Sequence, residues 1–186
     1  AHILLPGDYI GLRLTGERLT TYSGLSEGVA YDVETRGPAE FLFDYFELPA
    51  GIYPEARSNF GGHGTVLPQV AAELGVPAGT PVSYRAGDQP NNALSLNVLE
   101  PGELAATAGT SGVVYAVVDR PVFDPRSRVN TFVHVNHSDS LDRYGILLCL
   151  NGTGILNRWL RENVAGADMD YRSINEAAAG IPVGSE

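Results

Sequence analysis

Near residue 80 the hydrophobic pattern of this 186-residue chain changes character, and that change limits the folds open to it. Before it, short stretches of helical spacing are cut apart by glycine and proline. The run from Leu5 to Gly16 predicts a short helix, with Asp8 as an early cap and Gly16 as a left-handed stop. A second helix is expected over Ala39 to Phe46, with Phe41, Leu42, Tyr45 and Phe46 forming its apolar face. Residues 49–64 carry Pro49, Gly51, Pro54, Gly61, Gly62 and Gly64 and read as loop and short strand. Leu67 to Leu74 predicts a third helix, ended by Gly75 and Pro77. After the change the runs are β-prone. Pro81 to Ala86 predicts a strand and Leu94 to Leu99 a helix. Leu104 to Ala108 and Val113 to Val118 predict a hairpin around Gly109-Thr110-Ser111-Gly112. Strands are expected over Val129 to His137 and Tyr144 to Leu150, then helices over Thr153 to Asn163 and Ser173 to Ala179.

Charge narrows the partners. Twelve Lys+Arg against 22 Asp+Glu leave a net charge of −10, without the basic footprint that nucleic acid or an anionic membrane requires. No apolar stretch approaches the ~20 residues that cross a bilayer. All 12 basic residues are arginine. A P-loop lysine, a Schiff-base lysine and a kinase-type strand lysine are therefore excluded together. The single cysteine, Cys149, has no internal partner for a disulfide, so a reducing, cytoplasmic setting is expected. The chain opens Ala1-His2 without an initiator methionine, and we expect it to be an internal piece of a larger protein.

Three glycine-bearing clusters are candidate sites, and each has a structural alternative. Gly87-Asp88-Gln89 follows the expected strand at residues 81–86, where open α/β folds place ligands. Asp88 there suits a general base toward a hydroxyl, and Gln89 can both donate and accept hydrogen bonds to a polyol. From spacing alone, the favoured alternative is that Asp88 caps a helix begun near Asn91. Gly109-Thr110-Ser111-Gly112 offers amides and hydroxyls to a phosphate, or is an ordinary hairpin turn. Asn151-Gly152-Thr153-Gly154 precedes a helix and could admit an anion, or simply connects strand to helix with Thr153 as N-cap. His134 and His137, three apart on a strand, would point to opposite faces and do not suit one metal ion. His63 among glycines reads as a ligand or a surface residue, and Arg85 either orients a carboxylate or lines the sheet.

In order and spacing, these segments resemble the sugar kinases of the xylulokinase and glycerol kinase type. The matching features are Leu5-Pro6-Gly7-Asp8-Tyr9 with Leu12-Arg13-Leu14-Thr15-Gly16-Glu17, then Leu67-Pro68-Gln69-Val70-Ala71 and Gly87-Asp88-Gln89. Gly109-Thr110-Ser111-Gly112-Val113 and the Trp159-Leu160 helix complete the set, which runs from Leu5 to roughly Gly166. The resemblance is greatest to the xylulokinase branch, and it implies an α/β actin/ribonuclease H-like fold, present in part. It makes Asp88 the catalytic base that takes a proton from a sugar hydroxyl as that oxygen attacks the γ-phosphorus of ATP. It makes Gln89 a substrate-binding neighbour, Gly109, Thr110, Ser111 and Gly112 a phosphate loop, and Gly154 a nucleotide-side glycine. ATP and Mg²⁺ are the implied cofactors, a small sugar the partner, and a homodimer is admitted.

By the same resemblance, residues 1–99 are the end of a sugar-binding domain and residues 100–186 the start of an ATP-binding domain. Asp88 and Thr110 are then expected to face each other across a cleft. The family's N-terminal phosphate hairpin and its adenosine-holding segment do not appear in the sequence, so the chain by itself is expected to be inactive. D-Xylulose is the first substrate expectation, with Gln89-Pro90-Asn91-Asn92 leaving glycerol, ribulose and gluconate open. A non-catalytic sugar- or nucleotide-sensing member of the same superfamily is the alternative. A β-rich carbohydrate-binding domain is a third reading, for which the chain shows no aromatic platform.

Overall fold

A computed structural model describes residues 2–166 and 169–184. The chain forms two compact units, residues 1–105 with 115–147, and residues 106–114 with 148–186. In the first unit, helix α1 (Pro6–Thr15) starts on a proline and ends on Gly16, whose φ of 81° closes the helix through its N–H to Leu12 O at 2.8 Å. Strand β1 (Leu19–Thr21) then runs straight into helix α2 (Tyr22–Glu27). Thr21 makes that switch by accepting the Gly24 N–H at 3.1 Å on its hydroxyl. A short hairpin of β2 (Tyr31–Asp32) and β3 (Gly37–Pro38) leads to α3 (Glu40–Tyr45). Strand β4 (Glu55–Arg57) returns to pair parallel with β1, and α4 (Pro68–Leu74) ends at Gly75, φ 68°. Helix α5 (Asp88–Ser95) follows. Four strands, β5 (Leu104–Ala108), β6 (Gly112–Val118), β7 (Asn130–Val133) and β8 (Tyr144–Leu150), form a sheet in the order β5-β6-β8-β7. The chain closes with α6 (Gly154–Asn163) and α7 (Tyr171–Ala178) in the second unit.

The hydrophobic centre of the first unit is built from Leu25, Ala30 and Phe43, with Tyr31, Leu42, Tyr53 and Ala56 packed around them. Phe43 stacks on Tyr53 with ring centroids 5.4 Å apart. This overturns the expected apolar face of α3. Phe43 is the residue turned inward, while Phe41, Tyr45 and Phe46 are exposed. Six residues make fewer than two turns, too few for helical spacing to decide which aromatic enters the core.

Other boundaries also shift. Residues 81–86 form an extended segment with only two isolated bridges, Phe60 with Tyr84 and Thr65 with Pro81, and not the expected strand. Opposite it, Gly61 and Gly64 hold φ values of 143° and 99°, which breaks the pleat, and Pro81 has no N–H to give. The helix expected over Leu94 to Leu99 instead starts at Asp88 and stops at Ser95. Asn97 at φ 57° ends it in a Schellman motif, with Val98 N–H on Ala93 O and Asn97 N–H on Leu94 O, both 2.9 Å. The strand expected to reach His137 ends at Val133.

His134 and His137 lie just beyond that strand and are both buried. His134 Nε2 donates to Val98 O at 3.1 Å, and its Nδ1 accepts from the Tyr115 hydroxyl at 3.0 Å. Burial pulls its pKa down to about 4. His137 lies within hydrogen-bond distance of the Tyr31 hydroxyl, 3.2 Å, and accepts the Arg143 N–H on Nδ1 at 3.3 Å. These are structural imidazoles. Tyr115, on β6, spreads its ring over Gly145 of β8, where a Cβ would overlap the ring. Replacing Tyr115 by Phe keeps that packing and strands His134 Nδ1 without its donor. Urea denaturation of Tyr115→Phe should show a loss of about 1–2 kcal/mol.

Candidate active site

A pocket of about 520 Å³ opens in the first unit, bounded by the start of α1, helix α2 and residues 85–88. Its position follows from one polar network. Asn59 is fully buried and donates through Nδ2 to the Ser23 hydroxyl and to Arg85 O, the latter at 3.0 Å. Ser23 Oγ in turn accepts the Gly87 N–H at 3.1 Å, and Asn59 O accepts the Arg85 N–H at 3.1 Å. The end of the extended segment is thus held on both sides just before α5 begins. Asp88 is the first residue of that helix, exposed and on the pocket wall. It does not cap a helix starting near Asn91, as the structural alternative had it; Gly87 occupies the N-cap position.

Two further carboxyl groups and one guanidinium line the same pocket. Asp8 is buried and pairs with Arg85 at 3.3 Å. Burial pushes the Asp8 carboxyl up, against the opposing pull of the Thr20 hydroxyl, Arg85 and the Leu5 amide. Arg85 also donates to Gly7 O at 3.4 Å and Leu19 O at 3.2 Å, and it passes so close to Gly11 that a Cβ there would strike it. Its charge is committed to Asp8 and to these carbonyls. Glu27, the last residue of α2, accepts the Asp88 backbone N–H, and its carboxyl lies where a Cβ on Gly87 would have to go. Burial first, then the neighbouring Asp88 charge, pushes the Glu27 carboxyl up to about 7.

Gln89, next along α5, is half-buried and is not among the pocket-lining residues. His63, read as a ligand or a surface residue, is instead buried with Nε2 2.9 Å from Ser58 O. Sequence reasoning missed Glu27, Ser23 and Asn59, and it read Asp8 only as a cap. Asp8 does accept the Leu5 N–H at 3.3 Å, but its ion pair faces the pocket.

The second unit holds the remaining candidates. Gly109, Thr110 and Ser111 turn the chain between β5 and β6, with Gly109 N–H on Ser111 O at 3.0 Å, and Gly112 opens β6. The start of α6 is locked onto this turn. Gly154 N–H donates to Gly109 O and Ile155 N–H to Thr110 O, both at 3.1 Å. The Thr153 hydroxyl reaches the same two carbonyls at 3.2 and 3.3 Å, so it caps no helix amide. Glycine at 154 lets the helix approach, because a Cβ would overlap Gly109 O. A pocket of about 440 Å³ lies alongside, lined by Gly109, Thr110, Gly154, Ile155, Arg158 and Tyr171. Arg158 supplies a cation to this wall. Among the described residues no three His, Cys, Asp or Glu side chains gather into a metal-binding cluster.

Residues 1–95 match the N-terminal domain of the FGGY family of carbohydrate kinases. The chain belongs to that family. It is similar to the xylulose kinase of Bacillus subtilis, at 25% identity over 100% of this chain and 36% of that protein. It also matches the gluconokinase of Bacillus licheniformis, at 31% identity over 65% of this chain and 23% of the relative. Among solved structures, the xylulose kinase from Rhodospirillum rubrum superposes with a TM-score of 0.82 at 27% identity, covering 95% of this chain and 36% of that one. The fold is therefore that of part of an FGGY sugar kinase, and the chain spans about a third or less of the relatives it matches.

Gly154→Ala should drive a methyl group into the Gly109 carbonyl. Thermal or urea unfolding is expected to register a loss of about 1–3 kcal/mol.

Proposed function

We propose that this chain works within an ATP-dependent sugar kinase whose acceptor is a neutral ketose, D-xylulose first, giving xylulose 5-phosphate. Asp88 is the general base in this reading. Its carboxylate takes the proton from the sugar hydroxyl while that oxygen forms a bond to the γ-phosphorus, and the bond from phosphorus to the β–γ bridging oxygen breaks to release ADP. Gln89 binds the sugar beside it. Gly109, Thr110, Ser111 and Gly112 meet the nucleotide phosphates, with Gly154 behind the turn. Residues 1–99 belong on this view to the sugar-binding domain and residues 100–186 to the ATP-binding domain. Phosphoryl transfer of this kind needs positioning and one base and no covalent nucleophile, which suits a chain without lysine. The Mg²⁺ ion would arrive on the nucleotide phosphates, and no step above depends on a protein-held metal. A cytoplasmic setting belongs to the same reading.

The observation that carries the choice of substrate is the charge of the 520 Å³ pocket. It presents Asp8, Glu27 and Asp88, and its one cation, Arg85, is already paired with Asp8 at 3.3 Å. With Asp8 paired to Arg85 and the Glu27 carboxyl pushed up to about 7, Asp88 still leaves this wall net negative, which favours hydroxyl donors and opposes an anionic acceptor such as gluconate. The related gluconokinase keeps the acid in view as the second reading, and glycerol, ribulose and a non-catalytic sensor complete the alternatives.

Two measurements on the complete protein test this. In Asp88→Asn, turnover should fall by about 10²–10⁴-fold while sugar affinity is retained. In a panel of acceptors, kcat/KM for D-xylulose should exceed that for gluconate. ATP consumption with no pentulose or polyol would sink the kinase reading, and a preference for gluconate would sink the choice of acceptor. The present chain alone should show no turnover.

A further inference from the structure

We propose that Glu27 is a positioning residue for Asp88, holding the first peptide of α5 from a neighbouring helix through a carboxyl group packed against Gly87. The proposal rests on the reading of Asp88 as the base.

The geometry is specific. Helix α5 starts after Gly87, which has no side chain to cap it, and no side-chain cap bond is made from that position. The acceptor comes from α2, where Glu27 receives the Asp88 N–H. Glycine at 87 is what admits it, since any Cβ there would overlap the Glu27 carboxyl. The preceding peptide is held by Ser23, whose Oγ takes the Gly87 N–H at 3.1 Å. Glu27 and Ser23 belong to one helix, so α2 carries two of the contacts that fix where Asp88 leaves the backbone.

Electrostatics give Glu27 a second part. One of its oxygens, Oε1, is buried and has no hydrogen-bond partner among the described residues. The charged groups around it are few. Asp88 on α5 raises its pKa by repulsion, and the buried hydroxyl of Tyr115 on β6 senses the Glu27 charge. Asp8 and Arg85 on the same pocket wall compensate each other. With burial added, the carboxyl titrates at about 7. Below that pH Glu27 is neutral and still offers a carbonyl oxygen to the Asp88 N–H. Above it, a second negative charge stands beside the base and opposes the anionic phosphoryl group that Asp88 must meet.

The pH dependence of the sugar-kinase reaction in the complete protein is the first test. Wild-type kcat/KM should fall as pH rises, with a midpoint near 7. Glu27→Gln, neutral at every pH, should lack that limb. Glu27→Ala should lower kcat by about tenfold or more, with a smaller change in the sugar KM, and Gln should recover most of the loss. An identical alkaline limb in Glu27→Gln would overturn the proposal. The second test does not need catalysis. The ¹³C carboxyl resonance of Glu27 should titrate with a midpoint near 7 and move to lower pH in Asp88→Asn. A midpoint in the ordinary carboxylate range, or one indifferent to Asp88→Asn, would also overturn it. If the resonance behaves as expected and no ketose is phosphorylated, the coupling stands and the assignment of the reaction fails.

Discussion

A single buried amide, Asn59, decides where the proposed base stands. Its Nδ2 ties Ser23 of α2 to the carbonyl of Arg85, and Ser23 then takes the next available amide, that of Gly87. Every polar atom in this chain of contacts is exchanged for another inside the protein. The arrangement is therefore all-or-none: losing one partner leaves a desolvated group and releases the neighbours it held. Three segments far apart in sequence meet there, and the network fixes the end of residues 81–87 where the backbone bonds to residues 59–64 run out.

Much of the fold could be read in advance where chemistry is local. Gly16 and Gly75 stop their helices as glycine should, and β8 and the hairpin of β5 with β6 fall where their apolar runs lie. The misses occur where tertiary contacts override local preference. Helix α2 has only six residues, begins directly from a strand, and has no periodicity to detect. Its Thr21, whose hydroxyl meets Gly24 N–H, is the one local signal. Glu27 looks like any solvated acid in the sequence, because its surroundings come from α5, more than sixty positions away. The spacing of His134 and His137 argues against one shared metal ion, and His134 is hydrogen-bonded to Val98 O, although the strand expected to carry it ends one residue earlier.

The candidate site was legible to a similar extent. Asp88 could be singled out because Gly87 and Gln89 flank it in a pattern shared with the sugar kinases. Its cap alternative fails because the helix begins three residues before Asn91. The glycines of the turn between β5 and β6 could be named, yet the reason Gly154 must be glycine could not. It lies in the approach of Gly109 O, a contact spanning some forty residues. Nor does the sequence reveal that the amides of Gly154 and Ile155 are already satisfied by the turn, which makes the junction a rigid corner instead of an open anion seat.

Helix α5 is anchored at both ends. Ser23 holds the peptide that enters it, and just past its Schellman turn the carbonyls of Val98 and Leu99 receive His134 Nε2 and Asn136 Nδ2, each at 3.1 Å. Fraying from either tip is thereby blocked. Amide protons along α5 should then exchange with solvent only when the flanking elements open as well, in one cooperative event. A carboxylate carried on such a segment is presented to the pocket with little wandering, and the entropy of holding it still has already been met by the fold.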